Sequence, residues 1–184
     1  MLSIWNSFDP PSLDKITDKI YISNERGAHD KKMLTDRGVT HILVAGNFLQ
    51  KKFPSDFKYL QLPINDFPNQ DITYYFQDVV NFIDEADKVL VHCAAGISRS
   101  SSMIIAYLMI RNKVKYQEAH DLVKKKRPII CPNRGFVNQL KELERFLESG
   151  ETDLSKLSTK AYLYQRPKDN KINAVKAPEP NQAE

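Results

Sequence analysis

Cysteine is scarce in this chain: Cys93 and Cys131 are the only two among 184 residues. Two thiols are too few for a disulfide framework, so the expected compartment is reducing, the cytosol or the nucleus, where a free thiol can take part in chemistry. Long apolar runs are missing as well, and none approaches the length that spans a bilayer. The opening Met1-Leu2-Ser3-Ile4-Trp5-Asn6 has neither the basic nor the apolar region of a signal peptide, and its Met-Leu start does not suit myristoylation. The final Gln-Ala-Glu carries no cysteine for prenylation. No membrane association is therefore expected. Four histidines (His29, His41, His92, His120) are scattered without metal-ligand spacing, so neither a metal nor another cofactor is expected. Charge of one sign is not in large excess: 27 Lys and Arg against 23 Asp and Glu leave +4. That balance is too mild to argue for nucleic acid and is compatible with acidic, phosphorylated partners. A 41% hydrophobic content suits one globular domain with a core, a monomer by default.

What is present is concentrated in Val89-Leu90-Val91-His92-Cys93-Ala94-Ala95-Gly96-Ile97-Ser98-Arg99-Ser100. The first four residues read as a short buried strand that stops at Cys93, and Met103, Ile104, Tyr107 and Leu108 carry a helical apolar period. A tight loop between strand and helix can converge its backbone N–H groups, with the helix's first turn, on a tetrahedral anion. Ala94, Ala95, Gly96, Ile97, Ser98 and Arg99 are the expected phosphate-binding residues, with Gly96 allowing a positive φ or close approach. Arg99 adds a planar fork that matches two phosphate oxygens. A thiol at the base of this cup is expected to be held as a thiolate nucleophile. A cysteine at a strand end is often only a small buried hydrophobe, but the arginine and anion cradle beside Cys93 describe phosphoryl transfer through a cysteinyl-phosphate.

Along the rest of the chain, residues up to Leu13 read as an irregular lead-in around Pro10-Pro11. Lys19–Ile22 alternates like an edge strand, and Asn24 to Arg37 predicts one short helix closed by Gly38. Val39–Val44 and Tyr59–Leu62 read as strands, the second stopped by Pro63. A helix is expected from Ile72 to Ala86 with Asp71 as its cap, then Lys88–His92 as the strand before the loop. Two helices follow, roughly Lys115–Lys126 and Gly135–Glu148. Alternating strands and helices predict an α/β fold: a mainly parallel central sheet flanked by helices, with ligands bound beyond the carboxyl ends of the strands. The expected organisation is a lead-in over 1–14, a catalytic domain over 15–148, and a polar tail over 149–184. That tail cannot bury enough apolar surface to fold alone, although Tyr162, Leu163 and Tyr164 could pack back on the domain.

The order His92-Cys93-x5-Arg99-Ser100 resembles the His-Cys-x5-Arg-Ser/Thr signature of the cysteine-based protein phosphatases, and Ala-Ala-Gly-Ile-Ser is most similar to the dual-specificity branch. Weaker likenesses are Ile-Tyr-Ile-Ser, Gly-Val-Thr-His-Ile-Leu and Lys-Lys-Arg-Pro-Ile-Ile-Cys-Pro-Asn-Arg-Gly-Phe, so the resemblance runs from about Lys15 to Phe146. It implies a phosphatase-like sandwich and a metal-independent hydrolase of phosphotyrosine and phosphoserine/threonine in proteins. Ester cleavage needs a proton for the leaving oxygen. Asp66, in the Pro63–Pro68 loop, stands where similar phosphatases carry their general acid, whereas Asp71 already has a capping role. Ser100 is implied to donate to the cysteine sulfur, with helix capping as its competing role. His92 is expected to order the loop and not to transfer protons. In the basic run ending at Arg127, most charges suit a helix C-terminus, but Arg127 or Arg134 could line the cleft. A Cys93–Cys131 disulfide is conceivable.

Ala94, Ala95, Ile97 and Ser98 stand where lipid phosphatases of this superfamily tend to carry lysines, so a single phosphomonoester is the better expected ligand. Phosphoinositide phosphatase and RNA 5′-triphosphatase are the alternative enzymes on the same loop chemistry. A phosphoprotein-binding adaptor without turnover is the alternative of another class, and loss of Cys93, Arg99 or the acid would have favoured it.

Overall fold

The computed structural model describes residues 10–157. Its strands are β1 (Leu13–Lys15), β2 (Ile20–Ser23), β3 (His41–Ala45), β4 (Lys58–Leu62) and β5 (Val89–His92). The helices are α1 (Glu25–Ala28), α2 (Lys31–Asp36), α3 (Phe76–Glu85), α4 (Arg99–Asn112), α5 (Tyr116–Lys126) and α6 (Arg134–Glu148), with 3-10 turns at Thr73–Tyr75 and Leu154–Leu157. The sheet order is β1-β2-β5-β3-β4, parallel throughout except for β1 against β2. The expected mainly parallel α/β sandwich is thus what forms, and β5, last in sequence, sits at its centre.

Side chains alternate across the strands, so one sheet serves two cores. Ile20, Ile22, Leu43, Ala45, Leu60, Leu62, Val89 and Val91 face α3, α4 and α6. Tyr21, Ile42, Val44, Tyr59 and Leu90 face the other way, toward Ala28, Leu34, Val39 and Phe57. A strand buried on both faces has no polar alternation, and all four residues of β5 are buried. The loop that leaves its carboxyl end inherits a fixed base.

Several expected elements differ in ways that have local causes. β1 straddles the expected boundary between lead-in and domain, so β2 is an interior strand and not the edge. The single helix expected from Asn24 to Arg37 is two. Asn24 caps the first by accepting from Gly27 N (2.9 Å), and Asp30 opens the second by accepting from Met33 N (2.9 Å). Gly38 closes the second at φ +70°. Asp71 is not the helix N-cap: Ile72 precedes a 3-10 turn over Thr73–Tyr75 and Tyr75 precedes the α-helix proper, which begins at Phe76, while Asp71 accepts from the amide (2.9 Å) and hydroxyl (2.7 Å) of Thr73 just ahead of both. Packing also continues past the expected boundary at 149, since Leu154 and Leu157 are buried against the main core. The remainder of the expected tail, with Tyr162–Tyr164, lies outside the described residues, as do residues 1–9 of the lead-in. No helix among the described residues is long and apolar enough to cross a membrane.

Leu154→Ala or Leu157→Ala should each destabilise the domain by about 2 kcal/mol, the lower end for a leucine truncated in a core. Urea unfolding measures this; an unchanged midpoint would mean that the 154–157 turn is not part of the cooperative unit.

Candidate active site

β5 ends at His92, and the chain then turns through residues 93–98 into α4, which begins at Arg99 itself. Five consecutive carbonyls of this turn are bonded to groups outside it. Ala94 O accepts from Glu25 N (3.0 Å), and Ile97 O from Cys131 N (3.0 Å) and Ser101 Oγ (2.5 Å). Ala95 O and Gly96 O accept from Nη2 (3.2 Å) and Nε (2.8 Å) of Arg127. Ser98 O accepts from Ser102 N (3.0 Å), Ser102 Oγ (2.8 Å) and Ser101 Oγ (2.9 Å). In a planar trans peptide the N–H lies opposite the C=O. Outward carbonyls from 94 to 98 therefore turn the N–H groups of residues 95–99 inward, toward Cys93. Gly96 makes the turn with φ +67°. A Cβ there would lie 2.5 Å from Ser23 O and 2.7 Å from Arg127 Nη2, so both backbone and space require glycine.

Cys93 Sγ lies at the focus of this turn. It accepts from Gly96 N (3.2 Å) and lies 3.3 Å from Ser100 Oγ. The residue is only 2% exposed. Arg99 stands at the first position of α4 beside Gly46, where a Cβ would come within 3.1 Å of its Nη1. Its Nε is buried without a hydrogen-bond partner. A buried guanidinium N–H left unsatisfied is costly, and an oxyanion in the cup is the group that would satisfy it. Asp66 is exposed on the loop after β4 and reaches the same turn: its Oδ1 accepts from Ser98 Oγ (2.7 Å) and from Asn133 Nδ2 (2.8 Å). Thiol, inward amides, arginine and a carboxyl group meet at the carboxyl end of a parallel sheet, which is an arrangement for nucleophilic attack on a bound phosphate with proton transfer to its leaving group.

Residues 20–146 match the family model of the dual specificity phosphatase catalytic domain. The chain belongs to that family. It is 46% identical over 149 residues, 79% of its length, to MAP kinase phosphatase with leucine-rich repeats protein 1 of Dictyostelium discoideum. It is 38% identical over 142 residues to dual specificity protein phosphatase 1 of Arabidopsis thaliana, covering 75% of this chain and 71% of that one. The crystal structure of the human tyrosine phosphatase-like serine/threonine/tyrosine-interacting protein superposes with a TM-score of 0.71 at 35% identity, over 76% of this chain and 99% of that one. The chain spans only 17% and 21% of the lengths of the two Dictyostelium leucine-rich-repeat relatives.

Within this dual specificity phosphatase domain, the residues singled out from sequence around Cys93 do converge: Arg99, Ser100, Asp66 and the 94–98 turn. Arg127, one of the two arginines that could have lined the cleft, is elsewhere. It is 2% exposed, pinned under the turn by its two carbonyl bonds, by Ser12 Oγ (3.0 Å) and by Asp14 Oδ2 (2.5 Å). Arg134 is exposed at the start of α6, next to Asn133. Cys93 and Cys131 are both free thiols, one buried and one exposed, and Cys131 serves the site through its backbone. Sequence reasoning missed Asn133 and the bridging role of Ser98. An asparagine just before an apolar-periodic helix is a capping signal that could have pointed to Asn133.

His92 is 1% exposed behind the nucleophile. Burial pushes its imidazole down from 6.5 to about 4; a hydrogen bond with the Cys93 backbone opposes the shift, and the nearby His29 and Arg99 add to it. The ring is therefore neutral near pH 7. The unfolded chain protonates this ring first as pH falls, so its contribution to stability is complete above about pH 6.5. That contribution is lost as pH drops through about 4, roughly 3 kcal/mol in all. Urea unfolding at pH 7 and pH 5 should show a shallower acid dependence for His92→Asn than for the parent. Equal slopes would contradict a neutral buried ring.

Proposed function

We propose that this domain hydrolyses phosphotyrosine and phosphoserine/phosphothreonine monoesters of protein substrates through a cysteinyl-phosphate, without a metal. The observation that carries the reading is the buried Cys93 thiol at the focus of an inward-facing amide turn, beside an arginine whose Nε has no protein partner. Family membership supports it, and the names of relatives such as dual specificity protein phosphatase 1 agree with it.

In this reading the amides of residues 95–99 and the Arg99 fork hold the non-bridging oxygens. Cys93 Sγ attacks phosphorus; a P–S bond forms as the P–O ester bond breaks, and Asp66 gives its proton to the departing oxygen. Asp66, now a carboxylate, takes a proton from a water that attacks the phosphocysteine. Ser100 Oγ donates to the sulfur as it leaves, and inorganic phosphate departs. One arginine, Arg99, and no lysine over residues 94–99 suit one phosphomonoester better than a polyphosphorylated ring or chain.

Incubation with a radiolabelled phosphopeptide and an acid quench should trap phosphate on Cys93. Cys93→Ser should bind substrate without turnover, and label on any other residue overturns the mechanism. Arg99→Lys should be nearly as damaging as Arg99→Ala, because an ammonium cannot supply a planar bidentate fork; near-normal activity with lysine would show that charge alone suffices.

Asp66→Asn should slow phosphotyrosine peptide hydrolysis by ~10²–10⁴-fold, the usual contribution of general acid catalysis, since tyrosine leaves with a pKa of about 10. Nitrophenyl phosphate, whose leaving group hardly needs a proton, should lose far less. Asp71→Asn should be silent on both substrates, because asparagine can still accept from Thr73. The reverse pattern would assign the acid to Asp71.

A further inference from the structure

Asp66 is exposed on a loop, yet one of its oxygens is fully engaged, and every donor that engages it is oriented from the start of α6. Asn133 Oδ1 accepts from Phe136 N (3.0 Å), which settles which end of its amide is which and aims Nδ2 at Asp66 Oδ1 (2.8 Å). The Asn133 backbone N–H donates to Ser98 Oγ (3.1 Å), so the Ser98 hydroxyl hydrogen is free to point at the same Asp66 Oδ1 (2.7 Å). The loop that carries Asp66 is clamped to α6 further along. Gln139 Oε1 accepts from Ile72 N (2.8 Å), and its Nε2 donates to Gln70 O (2.8 Å). A Cβ on Gly135 would lie 1.8 Å from Pro68 O, so only glycine admits this approach.

From this we infer that Asn133, with Ser98, is the positioning residue of the proton transfer: it occupies Asp66 Oδ1 and thereby reserves Oδ2 as the oxygen that carries the proton to the leaving group. The inference rests on the proposed role of Asp66 as general acid. A neutral carboxyl group can keep both acceptor bonds at Oδ1 only if its hydrogen sits on Oδ2, and the carboxylate formed after transfer keeps the same two bonds. The orientation survives both protonation states, so the group needs no rearrangement between the step that gives the proton and the step that recovers it. Ser98 ties the acid to the phosphate-binding turn, and Asn133 ties both to a helix whose Phe136, Leu140 and Leu143 are buried in the core.

Asn133 has two roles, and substitution separates them. Serine caps a helix about as well as asparagine but cannot reach Asp66 with an amide donor. Asn133→Ser should therefore keep its urea midpoint and lose about tenfold or more in kcat on a phosphotyrosine peptide, since small misplacements of a catalytic group cost on that order. Loss on nitrophenyl phosphate should stay within about twofold, because that leaving group does not call on the acid. Ser98→Ala should show the same selectivity. Combined with Asp66→Asn, the Asn133→Ser change should add nothing further, the signature of a residue that acts through another. Equal losses on both substrates, additive losses, or no loss, together with a leaving-group-dependent Asp66→Asn, would overturn the positioning role alone. An Asp66→Asn variant with no leaving-group dependence would overturn the acid assignment and the positioning role with it.

Discussion

The turn from Cys93 to Arg99 can bind an anion only if its peptide N–H groups face inward, and that forces its carbonyls outward, where each needs a donor. Most of the molecule's tertiary connections near the site answer this demand. α1 brings the amide of Glu25, the α5–α6 connection brings the amide of Cys131, and α4 turns its own Ser101 and Ser102 back on the turn it has just left. The two carbonyls in the middle, Ala95 and Gly96, are met by a side chain instead. A long side chain with several donors on a planar head is the one group that serves both, and Arg127 supplies it.

Burying that arginine has its own cost, because a desolvated guanidinium needs a counter-charge and hydrogen bonds to every nitrogen. Asp14 and Ser12 provide them from the sheet's edge. This gives β1 a purpose beyond its three residues: its antiparallel pairing with β2 delivers Asp14 to the underside of the catalytic turn. Replacing Arg127 by lysine would satisfy one carbonyl and strand the other, and replacing Asp14 would leave a positive charge buried beneath a site that must already hold Arg99. The electrostatic balance of the turn is thus set partly by residues more than 75 positions away in the chain.

Local signals were legible in the sequence, and distant partnerships were not. The strand, turn and helix around Cys93 could be read because β5 is a continuous apolar run and α4 follows it without interruption. Helices α3, α5 and α6 could be read from their apolar period. β1 could not: Leu13–Lys15 is short, half exposed, and follows two prolines. Nor could the insertion of β5 between β2 and β3, since strand order is a matter of which faces need covering. Arg127 was hidden because it ends a basic run, Lys124–Lys126, whose other members are the solvated helix terminus they resemble. Leu154 and Leu157 carry no periodic pattern, so their burial follows from a surface that α3 and α6 leave open between them.

Asp66 shows how the two halves of the site come to depend on each other. It was legible as a loop carboxylate, but a solvent-exposed loop is a poor place from which to deliver a proton to a defined oxygen. The structure answers this by bonding the carboxyl group to the anion cradle through Ser98 and to α6 through Asn133. The same hydroxyl that belongs to the phosphate-binding turn therefore belongs to the acid's support. Any shift of the turn relative to α6 would disturb phosphate and acid together. Rigidity here is shared, and it begins with α6: the helix that buries Phe136 and Leu140 in the core also orients Asn133, so core packing sets the direction of a proton.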